Sequence, residues 1–183
     1  MRKLLIFIGV IIVIIIGVLV GLRINTKSHS PIDIAEYQSG NIGITVKYCQ
    51  PYKKGRVIFG ELVPYNEVWR TGANEATTIT IASNVYVQGN LLPVGTYSLW
   101  TIPGESEWKV IFNKEYGQWG VKLSDGKANY DKSENLIQIT VPSYESHNEI
   151  EQFTIQFEKM DDEIDMIMMW DKTLVVVPFK AKN

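Results

Sequence analysis

Residues 42–48 read "IGITVKY", which sets Ile42, Ile44, Val46 and Tyr48 at one phase and Gly43, Thr45 and Lys47 at the other. Successive side chains of an extended strand point to opposite faces, so this is the pattern of a strand with one apolar face. The same alternation returns at residues 77–82, 96–102, 108–113, 136–141, 152–158, 163–170 and 173–177, making eight strands, with a ninth at 84–87. Turn-forming residues separate several of them: "QGN" at 88–90, "PGES" at 103–106, "SDG" at 124–126 and "WDK" at 170–172. Beyond the N-terminus no segment carries a helical stripe, and there is no internal repeat. The pattern predicts an all-β domain, an antiparallel β-sandwich of jelly-roll-like or Greek-key connectivity. Trp108, Val110 and Phe112 share one phase and are expected in the core, and Phe153, Ile155 and Phe157 are expected to line an inner face. Residues 174–177 are apolar throughout, as a central strand covered on both sides would be.

The N-terminus differs from the rest. Residues 4–22, "LLIFIGVIIVIIIGVLVGL", form an uncharged apolar run that as a helix reaches ~28 Å, close to the ~30 Å hydrocarbon core of a bilayer. A cleaved export signal is the competing reading, but the run is long for one. Small residues suited to cleavage come only at Ser28 and Ser30, directly before Pro31. No cysteine follows for lipid attachment. The expected organisation is a short cytoplasmic leader (1–3), a transmembrane signal anchor (4–22) with the lipid bilayer as partner, a polar tether (23–40) and the sandwich domain (41–183). Arg2 and Lys3 on one side are matched by Arg23 and Lys27 on the other. The very short leader favours the body in the periplasm or outside the cell.

The chain has 18 Lys and Arg against 20 Asp and Glu. Four of those cations (Arg2, Lys3, Arg23, Lys27) and two of those anions (Asp33, Glu36) precede Asn41, so the body carries a net charge of -4. A mildly acidic body lacks the basic footprint of a nucleic-acid partner. Cys49 is the only cysteine, which excludes an internal disulfide, and it is expected to be a small buried side chain near a strand end. The histidines, His29 and His147, have no partner at metal-ligand spacing. Glu145, His147 and Glu149 would clasp a cation only if their loop folded back. Neither a nucleophile elbow nor a phosphate-cradling glycine loop is present, and no cofactor is implied.

What remains is "VWRTGANEATTITI" at 68–81. Arg70 offers a planar fork of donors, Asn74 donors and acceptors, and Glu75 an acceptor-only carboxylate. These groups either converge on a small polar ligand or brace the loop through an Arg70–Glu75 pair, with Asn74 or Gly72 in a left-handed turn. Tyr52, Phe59, Tyr65, Trp69, Tyr97 and Trp100 surround the stretch in sequence. They fit a sugar-binding platform and equally a sandwich core. Trp119, between glycines in "YGQWG", is the better candidate for a ring lining a site.

The runs "GRVIFGELVPYNEVWRTGANEATTI", "LPVGTYSLWTIPG" and "EWKVIFNKEYGQWG" resemble the bacterial family known as domain of unknown function 2911, over residues 42–179. The resemblance implies an exported β-rich domain and brings no activity with it. It runs through Trp69, Arg70, Thr71, Gly72, Ala73, Asn74 and Glu75, which favours a site there. At Tyr48–Pro51, "YCQP" departs from the serine and arginine expected before the proline, so Gln50 stands where an anion-binding arginine would.

The first expectation is therefore a membrane-anchored, extracytoplasmic ligand-binding or interaction module. Its site would be formed by Trp69, Arg70, Asn74, Glu75 and Trp119, for a carbohydrate or another small polar ligand. A second is an envelope enzyme on carbohydrate or peptide with Glu75 as general acid or base, which wants a second carboxylate ~5 to 9.5 Å away, from Glu61 or Glu67. A third is a purely structural envelope protein.

Overall fold

The computed structural model describes residues 2–40 and 42–182. A single long helix, α1 (Arg2–His29), is followed by nine strands: β1 (Ile32–Ser39), β2 (Ile42–Cys49), β3 (Thr78–Ile81), β4 (Val85–Val87), β5 (Asn90–Leu92), β6 (Gly95–Pro103), β7 (Glu107–Asn113), β8 (Asn135–Met160) and β9 (Glu163–Ala181). All pairings are antiparallel, in the order β1-β2-β3-β6-β7-β8-β9-β4-β5. The result is the expected all-β, sandwich-like domain behind one apolar helix.

The helix is long and apolar enough to cross a membrane, and none of its apolar window is buried against the domain. It runs past the apolar segment to His29, because Arg23–Ser28 contains no breaker. Pro31 then ends it by disfavouring helical geometry at the residue before it. Where a polar tether was expected over 23–40, the chain is therefore helix and then edge strand. β1 pairs with β2 from Ile32↔Cys49 to Ser39↔Ile42. Its alternation misleads because the isoleucines point outward: Ile32 and Ile34 are exposed, while Ala35 is buried and Tyr37 half-buried.

β8 joins the two layers. It pairs with β7 as far as Pro142 and with β9 from Ser143 onward. Proline has no N–H for a ladder, so it suits the point where the strand changes sheet. The runs expected at 136–141 and 152–158 are thus parts of one strand, as are 163–170 and 173–177. "WDK" is not a turn. Asp171 sits at φ 55 opposite Ile150, where the β8–β9 register shifts, and a bulge accommodates the positive φ without ending the strand.

Between the layers lies a cluster of Phe59, Trp69, Trp108, Phe153 and Trp170, with ring centroids 4.9 to 6.2 Å apart and mostly edge-to-face. Such contacts add to the burial of large rings, each truncation of which costs about 3–5 kcal/mol. Trp108, Val110 and Phe112 are in the core as expected, as are Phe153 and Ile155, with Phe157 packed against them. β9 lies between β8 and β4, with Val175 and Val177 buried and Leu174 and Val176 half-buried. Cys49 is buried at the end of β2. The Tyr48 hydroxyl donates to Asp33 Oδ2 of β1 (2.9 Å) and accepts from the backbone N–H of Ile155 in β8 (2.8 Å), tying the edge strand to the opposite layer.

Candidate functional site

The 68–77 stretch is held at both ends. Trp69 exchanges backbone hydrogen bonds with Thr101 of β6 (2.7 and 3.0 Å), and Glu75 bridges to Trp119. Between these points Thr71 (φ 53), Gly72 (φ 147) and Asn74 (φ 60) lie in the positive-φ region. For a β-branched residue such as Thr71 this conformation is an outlier that the surroundings must hold in place. They do so with three hydrogen bonds: Thr77 Oγ1 donates to Thr71 O (2.6 Å), Thr71 Oγ1 to Thr101 Oγ1 (3.1 Å) and Trp69 Nε1 to Gly72 O (3.0 Å). Gly72 is needed for space as well, since a Cβ there would stand 2.8 Å from Cys49 O.

This knot decides where the candidate residues point. Arg70 turns inward beside Gly120, where any Cβ would collide with its side chain. Among the described residues its guanidinium has no hydrogen-bond or ion-pair partner, and its buried Nε is left unsatisfied. Burial lowers its pKa below the usual arginine value. Glu75 turns the other way. Its Oε1 is 3.0 Å from Arg23 Nη2 and 3.1 Å from Lys27 Nζ, both on α1, so the Arg70–Glu75 brace does not form. Burial pushes the Glu75 carboxyl up, but its own backbone N–H together with Lys27 and Arg23 outweighs this and holds it below the usual glutamate range.

The five residues expected to form one site are therefore divided between two places. Trp69, Arg70 and Asn74 line a cleft of about 630 Å³ between the body and the end of α1. Asn74 is buried, with Nδ2 donating to Ser30 O at 3.4 Å. Glu75 and Trp119 instead line a separate groove along α1. Glu67 lines a second cleft of about 670 Å³, which meets the first at Trp69 and Arg70, and Glu61 is exposed.

The cationic side chains that line the first cleft are Lys54, Arg56 and Arg70, beside His29, with no carboxylate among its lining residues. Arg56 is held by the backbone carbonyls of Lys53 and Tyr52, the Lys54 backbone N–H donates to Glu151 Oε1 (2.9 Å), and neither the Arg56 guanidinium nor the Lys54 ammonium forms an ion pair among the described residues. By contrast Lys53, one residue away, pairs with Asp171 (2.7 Å) and Glu149 (2.9 Å). Trp69 and Trp170, nearly parallel, reach the same cleft, with Leu62 and Val63 on its apolar wall. The other aromatics near the stretch serve mostly as core: Phe59 in the main cluster and Trp100 in a smaller one against Tyr130. Sequence reasoning missed His29, Lys54 and Arg56, and its available signal was the basic run "KKGR" at 53–56. Gln50 is not part of the cleft. Its amide donates to Asp33 Oδ2 and to the Tyr48 hydroxyl, each at 3.0 Å. Among the described residues no group of His, Cys, Asp or Glu could hold a metal ion, and Glu145, His147 and Glu149 lie along β8.

No curated protein and no solved structure matches the chain. A family model does match, over residues 30–179, which takes in β1 through most of β9 and every body residue of both clefts. The chain belongs to that family, described as protein of unknown function (DUF2911).

Proposed function

We propose that the chain is a membrane-anchored, extracytoplasmic binding module that holds a small anionic ligand, a carboxylate or a phosphate, in the cleft at Arg70. The observation that carries this is Arg70, half-buried with its Nε buried and unsatisfied, and without a counter-charge among the described residues. Burying a charge unpaired costs several kcal/mol, a penalty that a bound anion would offset. Its planar fork suits two oxygens of one anion, and Lys54, Arg56 and His29 line the same space with no competing carboxylate. Gln50, outside the cleft, bears neither for nor against this.

An enzyme built on Glu75 has less support. A general acid wants a raised pKa, whereas Glu75 is held low and lines no cleft with Glu67 or Glu61.

Thermal melts of the full chain in detergent test the ligand class. Sodium phosphate and sodium succinate are each compared with sodium chloride at equal ionic strength, for wild type and Arg70→Met. Ligand at a hundred times its Kd stabilises by about 2.7 kcal/mol, so one of the two anions should raise the wild-type Tm and leave Arg70→Met unmoved. Equal shifts in both proteins would overturn the site. Protease accessibility in spheroplasts with intact-mass measurement tests the topology, and a mature N-terminus near Pro31 would remove the anchor.

A further inference from the structure

The groove that holds Glu75 and Trp119 has an unusual pair of walls. One wall is Leu19, Leu22, Arg23 and Thr26 of α1; the other is Gly117, Trp119 and Leu123 of the β7–β8 loop, and together they enclose about 420 Å³. Leu19 and Leu22 belong to the last turn of the apolar run. The helix wall of the groove runs from Leu19 to Thr26, about 10.5 Å along the axis, so Trp119 and Leu123 stand within that distance of the end of the apolar run.

The loop's composition matches that depth. Leu123 is 99% exposed and Tyr116 57% exposed, while Trp119 is half-buried. A leucine with nearly its whole side chain in water on a loop tip calls for a partner, and tryptophan and tyrosine favour the boundary between lipid and water. Lys122 beside it is long enough to keep its ammonium in the headgroup layer. The carboxylate lining the groove, Glu75, is paired with both Arg23 and Lys27, while the exposed Glu115 and Asp125 flank the loop outside the groove.

We infer that the Tyr116–Leu123 loop is a second membrane contact, with Trp119 and Leu123 entering the lipid interface beside the end of α1 and fixing the tilt of the body on its anchor. This rests on the proposal that α1 spans a bilayer. The occupant is the lipid itself, because the groove is continuous with the surface of the spanning helix.

The test uses the full chain in phosphatidylcholine vesicles, with bimane placed at Leu123→Cys or, as reference, at Leu22→Cys. Wild type treated in parallel sets the background from the buried Cys49. Quenching by a shallow doxyl lipid is compared with quenching by iodide. The expected result is lipid quenching at both positions and a several-fold lower iodide constant at Leu123 in vesicles than after unfolding in urea. A Leu22 label quenched by lipid beside a Leu123 label fully open to iodide overturns the loop contact and leaves the anchor standing. A Leu22 label that lipid does not quench overturns the anchor, and the loop contact with it. A Leu123 label shielded from both quenchers means protein covers it, which also overturns the inference.

Discussion

Arg70 and Glu75, five residues apart, share neither a hydrogen bond nor a cleft: one is half-buried beside Gly120 without a counter-charge among the described residues, the other is clamped to Arg23 and Lys27 of the helix. Substituting them should therefore give independent effects. Arg70→Met removes a half-buried charge with no ion-pair partner among the described residues and should change the unfolding free energy by less than about 1 kcal/mol or raise it. Glu75→Gln weakens partly exposed ion pairs and should lose no more than about 1 kcal/mol. Urea melts of both singles and the double should be additive within about 0.5 kcal/mol. A double that loses no more than either single would mean the two side chains are coupled after all.

Gly120→Ala should be destabilising. The new Cβ collides with Arg70 and stands 2.9 Å from the backbone oxygen of Asn74, so the side chain and the loop must both shift. Overpacking of this kind costs about 1–3 kcal/mol. Part of the loss should vanish in an Arg70→Ala background, which removes the clash with the Arg70 Cδ and leaves the contacts with the Cβ of residue 70 and the Asn74 carbonyl. Melts of the four proteins of that cycle decide it.

Two groups set opposite ends of the pH–stability profile. Glu75 has a folded-state pKa below its ordinary value of 4.5, so its contribution is present above that value and is lost as the pH falls through the folded pKa. Glu75→Gln should flatten this acid limb slightly, because the group is partly exposed. Tyr48 is the reverse: burial first, with the neighbouring Asp33 adding to it, raises its hydroxyl above the ordinary 10.0. Its contribution is full below pH 10 and is lost as the pH rises from there toward the folded value. Tyr48→Phe should lower stability at neutral pH, where it abandons the Ile155 N–H, and remove the alkaline slope. An unchanged slope above pH 10 would mean Tyr48 is not the group responsible.

Residues 32–39 should be required for a folded body. A fragment beginning at Pro31 keeps β1 and the Asp33–Tyr48 bond. One beginning at Asn41 loses both, leaving β2 as an open edge that invites aggregation. Circular dichroism melts should show a cooperative β-rich transition for the first fragment, and a lower Tm with concentration-dependent aggregation for the second.

The strands were legible wherever burial followed the alternation, as at Ile44, Val46, Trp108 and Phe153. β1 was not, because an edge strand can turn Ile32 and Ile34 to the outside and rest on Ala35 and Tyr37. "WDK" looked like a turn because composition does not distinguish a turn from a bulge, and Asp171 at φ 55 suits either. In the site, Arg70 stood out by its chemistry. Its companions did not, since Lys54 and Arg56 come from another loop and His29 from the helix, and only the folded chain brings them together. Glu75 lies apart from Arg70 for a local reason: positive φ at Thr71, Gly72 and Asn74 turns the chain between them.

β8 and β9 meet through a tight turn at Asp161 and Asp162, and β8 is the strand that pairs into both layers among the described residues. Synthesis delivers β4 and β5 some seventy residues before β9, the strand that connects them to the sheet. A growing chain therefore carries two unfinished half-sheets, with the β7 edge open, until this late hairpin arrives. Domains usually begin to fold from the N-terminal side as they emerge. Here β4 and β5 reach their place in the sheet only through β9, so the β8–β9 hairpin is the last piece that the paired layers require.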